Sequence, residues 1–230
     1  MNILRRRGEG SRLEAFSDAV FAFALTLLVV SLEVPRSYDE LLAALHNFIA
    51  FAFTFAALVW IWYLHYQFFR RYHLSDGPTI VLNAILLFVV LLYVYPLKFL
   101  STYVVDAVLD PAAAASIQPW QSVDLLVIYD IGYVAVFTVF LLMHVYAYAK
   151  RRELSLSRLE LFDTRYAIQN NIINLATGLA SMPVAVIGGP SATAFAGILY
   201  ALVVAPARTI HGFWSGKRRR PLERAQRAGS

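Results

Sequence analysis

A series of apolar runs, each long enough to cross a bilayer, constrains this chain more than any other feature. A hydrocarbon core about 30 Å thick takes about 20 apolar helical residues to span. Six stretches reach that length, at 16–34, 41–69, 79–100, 122–149, 167–187 and 192–214. In lipid every backbone N–H and C=O must be satisfied within the segment, so such runs fold as helices. Apolar residue types make up 59% of the 230 residues and charged types 15%. A soluble domain carries about 25% charged residues, so this chain cannot clothe a water-soluble globule, and its hydrophobicity also excludes disorder. The expected fold class is an all-α integral membrane protein of six transmembrane helices. A basic start at 1–15 precedes a membrane domain at 16–214, and a basic tail follows at 215–230. The second and fourth runs exceed the minimum and are expected to tilt or to extend beyond the bilayer. Gly188, Gly189 and Pro190 alone separate the last two runs, which predicts a tight helical hairpin.

The placement of charge sets the expected topology. Arg5, Arg6, Arg7 and Arg12 precede the first run, and Arg70 and Arg71 follow the second. Lys150, Arg151, Arg152, Arg158 and Arg165 lie between the fourth and fifth, and Lys217, Arg218, Arg219 and Arg220 close the chain. The opposite connections hold Arg36 together with Asp39, Glu40, Asp106 and Asp110. The positive-inside rule then puts both termini in the cytoplasm of a multi-pass cell-membrane protein, and an even number of spans requires the same. No small-residue cleavage site follows the first run, where Glu33, Val34 and Pro35 stand, so it reads as a retained span. The basic tail reads as an anchor beside anionic headgroups, with no nucleic-acid partner because no folded module accompanies it.

Several chemistries are excluded by motif. The chain has no cysteine, which removes disulfides, thiolate metal sites, cysteine nucleophiles and lipoprotein anchors. It has no His-Glu-x-x-His zinc motif, no Gly-x-Ser-x-Gly elbow and no phosphate loop, since Gly188-Gly189-Pro190-Ser191 lacks the lysine. The expectation is a protein that is not an enzyme, with no catalytic residues, no metal site and no cofactor.

Ionisable groups at membrane depth are functional candidates. Asp18 lies about 9 Å along a helix from Arg12, and His65 about 7.5 Å inside the end marked by Arg70. The first two spans run in opposite directions, so Asp18 and His65 reach similar depths from the same side, within reach of Arg12, and Trp60 or Trp62 can add an indole donor. Two readings of this trio stand: a polar network that fixes the first helix, or a titrating gate or proton relay. Asp130 and Lys98 approach the other side, either as a pair or as a snorkelling lysine and a carboxylate beside a wet cavity. Asn170, Asn171 and Asn174 either bond neighbouring helices or cap and solvate a helix entrance. His144, alone on its span, reads as a packing residue.

In the first span, at about 100° per residue, Phe23, Leu27, Val30 and Val34 share one stripe. Thr26 flanks that stripe, Glu33 lies on the side of Thr26, and Asp18 points away. Periodicity alone is equally met by ordinary helix or lipid packing. The run Arg12-Leu13-Glu14-Ala15-Phe16-Ser17-Asp18, with Ala19 to Val30 behind it and Trp62-x-x-His65 in the second span, resembles the signature of the transmembrane protein 175 family. That family comprises endosomal and lysosomal potassium channels and bacterial relatives with one six-span unit per chain. The resemblance implies a homotetramer, embedded in membrane lipid and permeable to potassium ions, in which the first helix of each subunit lines a central pore without a re-entrant selectivity loop. It implies that Phe23, Leu27 and Val30 form the apolar constriction and that Thr26 contributes to selectivity. It also implies that Arg12, Asp18 and His65 form the network holding the pore helix. Phe23 stands where relatives usually carry Ile or Leu, and Ala19 where Gly is common. A constriction of this kind gates by dewetting. Glu33, outside the motif, is either an outer-mouth carboxylate that concentrates cations or an exposed helix-end residue. The alternatives are a proton-coupled secondary transporter using Asp18, His65 or Asp130, and a membrane scaffold without transport. The first lacks the paired interrupted helices expected of such folds.

Overall fold

The computed structural model describes residues 3–30, 34–115 and 117–193. Within them the long apolar runs are helical: α1 (Ile3–Val30), α2 (Tyr38–Tyr72), α3 (Gly77–Leu109), a single turn α4 (Pro111–Ala114), α5 (Pro119–Ala149) and α6 (Arg158–Gly188). Five of them, all but α4, are long and apolar enough to cross a membrane. The expected sixth span lies outside the described residues from 194 onward, as do Glu33 and the basic tail. The chain divides into two compact units, Met1–Gly132 and the residues from Tyr133 onward.

In the first unit α1 packs on α2 and α3, α2 packs on α3, and α4 follows on α3. Ser17, Phe21, Ala24 and Leu28 are the buried residues of α1. At 3.6 residues per turn they fall within an arc of about 60°, so α1 has one inward face. Leu58, Ile61, Phe68 and Phe69 of α2 and Leu86, Leu87, Val90 and Val94 of α3 complete this core. The small Ser17, Ala24, Ala50 and Thr54 are buried as well, and they let the helix backbones approach where van der Waals packing and hydrogen bonds hold neighbouring helices in lipid.

The helix ends follow from local chemistry. Ser37 caps α2 by accepting the Glu40 N–H at 3.2 Å, and the Glu40 carboxylate accepts the Arg36 N–H at 2.6 Å. His73 ends α2 in the left-handed region at φ 46°, its N–H reaching the Phe69 carbonyl. α3 opens on Gly77-Pro78, where the missing proline N–H costs nothing, and continues through Pro96. Pro96 cannot donate to the Leu92 carbonyl, which loosens α3 at that turn.

In the second unit α6 opens on a capping box, in which Ser157 and Glu160 satisfy each other's backbone N–H groups. Its buried positions are small or polar: Thr164, Asn171, Asn174, Thr177, Gly178, Ser181 and Ala185. It ends at Gly189, whose φ of 64° with ψ of −161° is open to glycine alone. Helical structure resumes at Pro190, so the Gly-Gly-Pro triplet breaks the helix where the sequence places the turn.

Candidate functional site: a two-faced first helix and its anchor

The buried arc of α1 has its opposite. Arg12, Phe16, Ala19, Phe23, Thr26 and Val30 are all exposed, and they fall within about 80° of one another on the far side of the helix. Phe23 is 56% exposed and Val30 is 73% exposed. Leu27 is half-buried at the edge of this face. Thr26 and Leu27 flank Val30 and Phe23 on opposite sides, as the periodicity predicts, and the two differ in burial, Thr26 being exposed and Leu27 half-buried. The reason is angular, because the inward face is centred on Ser17 and Leu28 and Leu27 lies partway round towards it. The Thr26 hydroxyl donates to the Ala22 carbonyl at 2.8 Å.

The inward face carries a directed chain of hydrogen bonds. Ser17 donates its one proton to the Leu13 carbonyl at 2.8 Å, so it can only accept from Asn83, whose Nδ2 lies 2.9 Å away. That leaves the Asn83 carboxamide oxygen towards His65, with its Nε2 at 2.8 Å. His65 therefore carries a proton on Nε2. Ser17, Asn83 and His65 are each 1% exposed or less, and they tie α1, α3 and α2 together at one depth. Phe21 and Phe69 hold the imidazole from two directions, with ring centroids 5.5 and 4.6 Å away. Beside this chain the Trp62 indole N–H donates to the Asp18 carboxylate at 2.7 Å, a second tie between α2 and α1.

The expected trio is thus resolved into two connections. Asp18 meets Trp62, one of the two indoles considered, while His65 turns to Asn83 and Ser17. Arg12 lies on the exposed face, about 9 Å along the helix from Asp18. Asn83 was not singled out from the sequence. Its signal was depth: it lies six residues into α3, close to the depth of Ser17 and His65 from the same side.

The remaining polar positions fall in both units. Asp130 is fully buried in the first unit, and Lys98 is half-buried along a cleft. In the second unit the Tyr133 hydroxyl donates to Asn174 at 2.6 Å. His144 Nδ1 faces both the Phe140 carbonyl at 2.8 Å and the Asn171 amide at 3.2 Å. Of the two asparagine readings, interhelical bonding is the geometry seen for Asn171 and Asn174, whereas Asn174 Nδ2 also returns to the Asn170 carbonyl. Among the described residues no three His, Asp or Glu side chains gather as a metal site.

Comparison with known proteins bears on the same helices. A family model described as endosomal/lysosomal potassium channel TMEM175 matches residues 12–93, which contain α1's spanning part, α2 and the Asn83 turn of α3. A potassium channel of Marivirga tractuosa is 38% identical over 234 residues, covering 96% of this chain and 94% of that one. A potassium channel of Chamaesiphon minutus is 32% identical over 107 residues, 43% of this chain and 53% of that one. The crystal structure of a threonine-to-alanine variant of the potassium channel MtTMEM175, bound to a nanobody fusion, matches with a TM-score of 0.77 at 38% identity. That match covers 90% of this chain and 93% of the other. A structure of a lysosomal potassium-selective channel TMEM175 homologue from Chamaesiphon minutus shares the fold, with a TM-score of 0.53 at 22% identity and coverage of 90% and 98%.

Proposed function

Because the chain belongs to the TMEM175 family of potassium channels, we propose that four copies assemble around an axis with α1 of each lining a potassium-permeable pathway. The protein is a multi-pass membrane protein of a channel family and not an enzyme. The observation that carries the finer reading is the opposition of the two α1 faces. The inward face is anchored to its own subunit by Ser17, Asn83 and His65, and the outward face, with Phe23, Thr26 and Val30, is left open. Lipid would satisfy Phe23 and Val30, and the Thr26 proton is held by the Ala22 carbonyl, but the Thr26 oxygen lone pairs and the Arg12 guanidinium on the same face suit a wet pathway better than acyl chains.

In this arrangement Phe23, Val30 and, from the edge, Leu27 form the constriction. Four phenyl rings converging on an axis exclude water from the narrowed space, and the closed state is a dewetted one. Spreading or turning the four helices admits water and ions together. Thr26, one helical turn from Phe23, offers an oxygen to a cation that has shed part of its hydration. Asp18–Trp62 and the His65 chain set the angle of α1, so they act on the pore by positioning. Both termini face the cytoplasm, as the basic residues beside the first, second and fourth runs direct. Glu33 is assigned to the outer mouth, where four carboxylates would raise the local cation concentration.

The test is electrical recording of the purified protein in planar bilayers with potassium and sodium on opposite sides. Ohmic single-channel steps with a reversal potential favouring potassium are expected. Accumulation against a gradient with slow turnover and no unitary steps would replace the channel with the proton-coupled carrier.

A further inference from the structure

The first unit holds a second feature that the permeation pathway does not use. A cleft of about 760 Å³ opens between α3 and the start of α5, with Lys98, Phe99, Trp120, Asp124, Leu125 and Ile128 among its lining residues. Its volume lies in the range of small-molecule sites, about 300–1,000 Å³. Its depth is set by the helices. Lys98 is about 31 Å along α3 from Gly77, close to the thickness of a hydrocarbon core. Trp120 is the second residue of α5, at the end where aromatic side chains favour the membrane–water boundary. The cleft therefore sits where acyl chains meet headgroups, in the leaflet opposite the basic connections; this placement rests on the topology proposed above.

The walls are mostly carbon, from Phe99, Trp120, Leu125 and Ile128, and suit acyl chains. The two charges in the lining have opposite sign. A half-buried ammonium at this depth attracts a phosphate. A carboxylate in the same cleft opposes a headgroup that is only anionic and attracts one that also carries a cation. An ammonium that keeps its N–H groups gives Asp124 charge-assisted hydrogen bonds that a quaternary methylated nitrogen cannot give. The geometry points to this cleft as a site for phosphatidylethanolamine, with its phosphate on Lys98, its primary ammonium on Asp124 and its acyl chains along the apolar wall.

The experiment is native mass spectrometry of the purified full chain in detergent, titrated with phosphatidylethanolamine, phosphatidylglycerol and phosphatidylcholine of matched acyl chains. The unmodified chain is expected to retain phosphatidylethanolamine about tenfold more tightly than either other lipid, the worth of one charge-assisted hydrogen bond. Asp124→Asn should bring phosphatidylethanolamine and phosphatidylglycerol to near parity, and Lys98→Gln should weaken all three. Equal retention of the three lipids by the unmodified chain overturns the proposal. So does an unchanged preference in well-folded Asp124→Asn, or an absence of bound phospholipid because a second copy covers the cleft. The headgroup series needs no variant, so a misfolding substitution does not remove the test. It reads lipid mass and not current, so its failure leaves the permeation reading standing, and silent bilayers leave the lipid site standing.

Discussion

Gly132 has no room for a side chain. A Cβ built there meets the ring of Tyr93, and that ring is itself buried at 4% exposure. Gly132→Ala forces the ring off its rotamer and should cost about 1–3 kcal/mol as an overpacked site, read as a lower thermal midpoint of the purified protein. Combining it with Tyr93→Leu should recover part of that loss, and strict additivity of the two would show that the ring is not the obstacle. Phe23 makes the opposite case: exposed within one chain, it should contribute little to the stability of a subunit. Phe23→Ala is expected to leave the melting of the monomeric fold nearly unchanged and to raise potassium flux into liposomes several-fold by wetting the constriction. Unaltered flux in the variant would remove Phe23 from the narrow point.

At the scale of elements, what could be read from the sequence depended on which physics each feature obeys. The five described spans were legible because a run of apolar residues reports the solvent around a helix. The helix ends were less so. α1 begins at Ile3, α2 runs from Tyr38 to Tyr72 and α3 runs on to Leu109, each beyond its apolar run, because a helix leaving the bilayer continues wherever its backbone and caps permit. The single turn α4, helical from Pro111, left no hydropathic trace. Asp18 and His65 were legible as polar residues at membrane depth, as was an indole donor beside them, but the Asn83 partner of His65 was not. Arg12 is a counter-charge by reach alone, whereas Trp62 meets Asp18 and the neutral Asn83 pairs the His65 Nε2–H without burying a second charge. Asn83→Leu should therefore strand the His65 Nε2–H and loosen α1 from α2 and α3, costing about 1–2 kcal/mol. The fall in melting temperature should be shared with Ser17→Ala and His65→Leu rather than added to them, as a double-mutant cycle would measure. Independent, additive losses would mean that the three residues do not act as one chain.

At the scale of the whole molecule, the proposed assembly has a direct handle. The sequence contains no cysteine, so a single introduced thiol reports without background. With four α1 helices around an axis, Phe23→Cys or Val30→Cys should give disulfide-linked dimers under mild oxidation, and Cd²⁺ should block current through the same variants. Ala24→Cys, on the inward face and fully buried, should give neither. Cross-linking at Ala24 with none at Phe23 would turn the helix round and end the proposed pore.

The Thr26 hydroxyl has one further consequence. Its only hydrogen points back into its own helix, at the Ala22 carbonyl, so the atom shown outward has electron pairs and nothing to give. Water resting there gives one hydrogen to the wall and keeps its oxygen lone pairs open on the other side. Around the proposed pathway, a positive ion would find those lone pairs ready for it, while chloride would find acceptors on the wall where it needs donors.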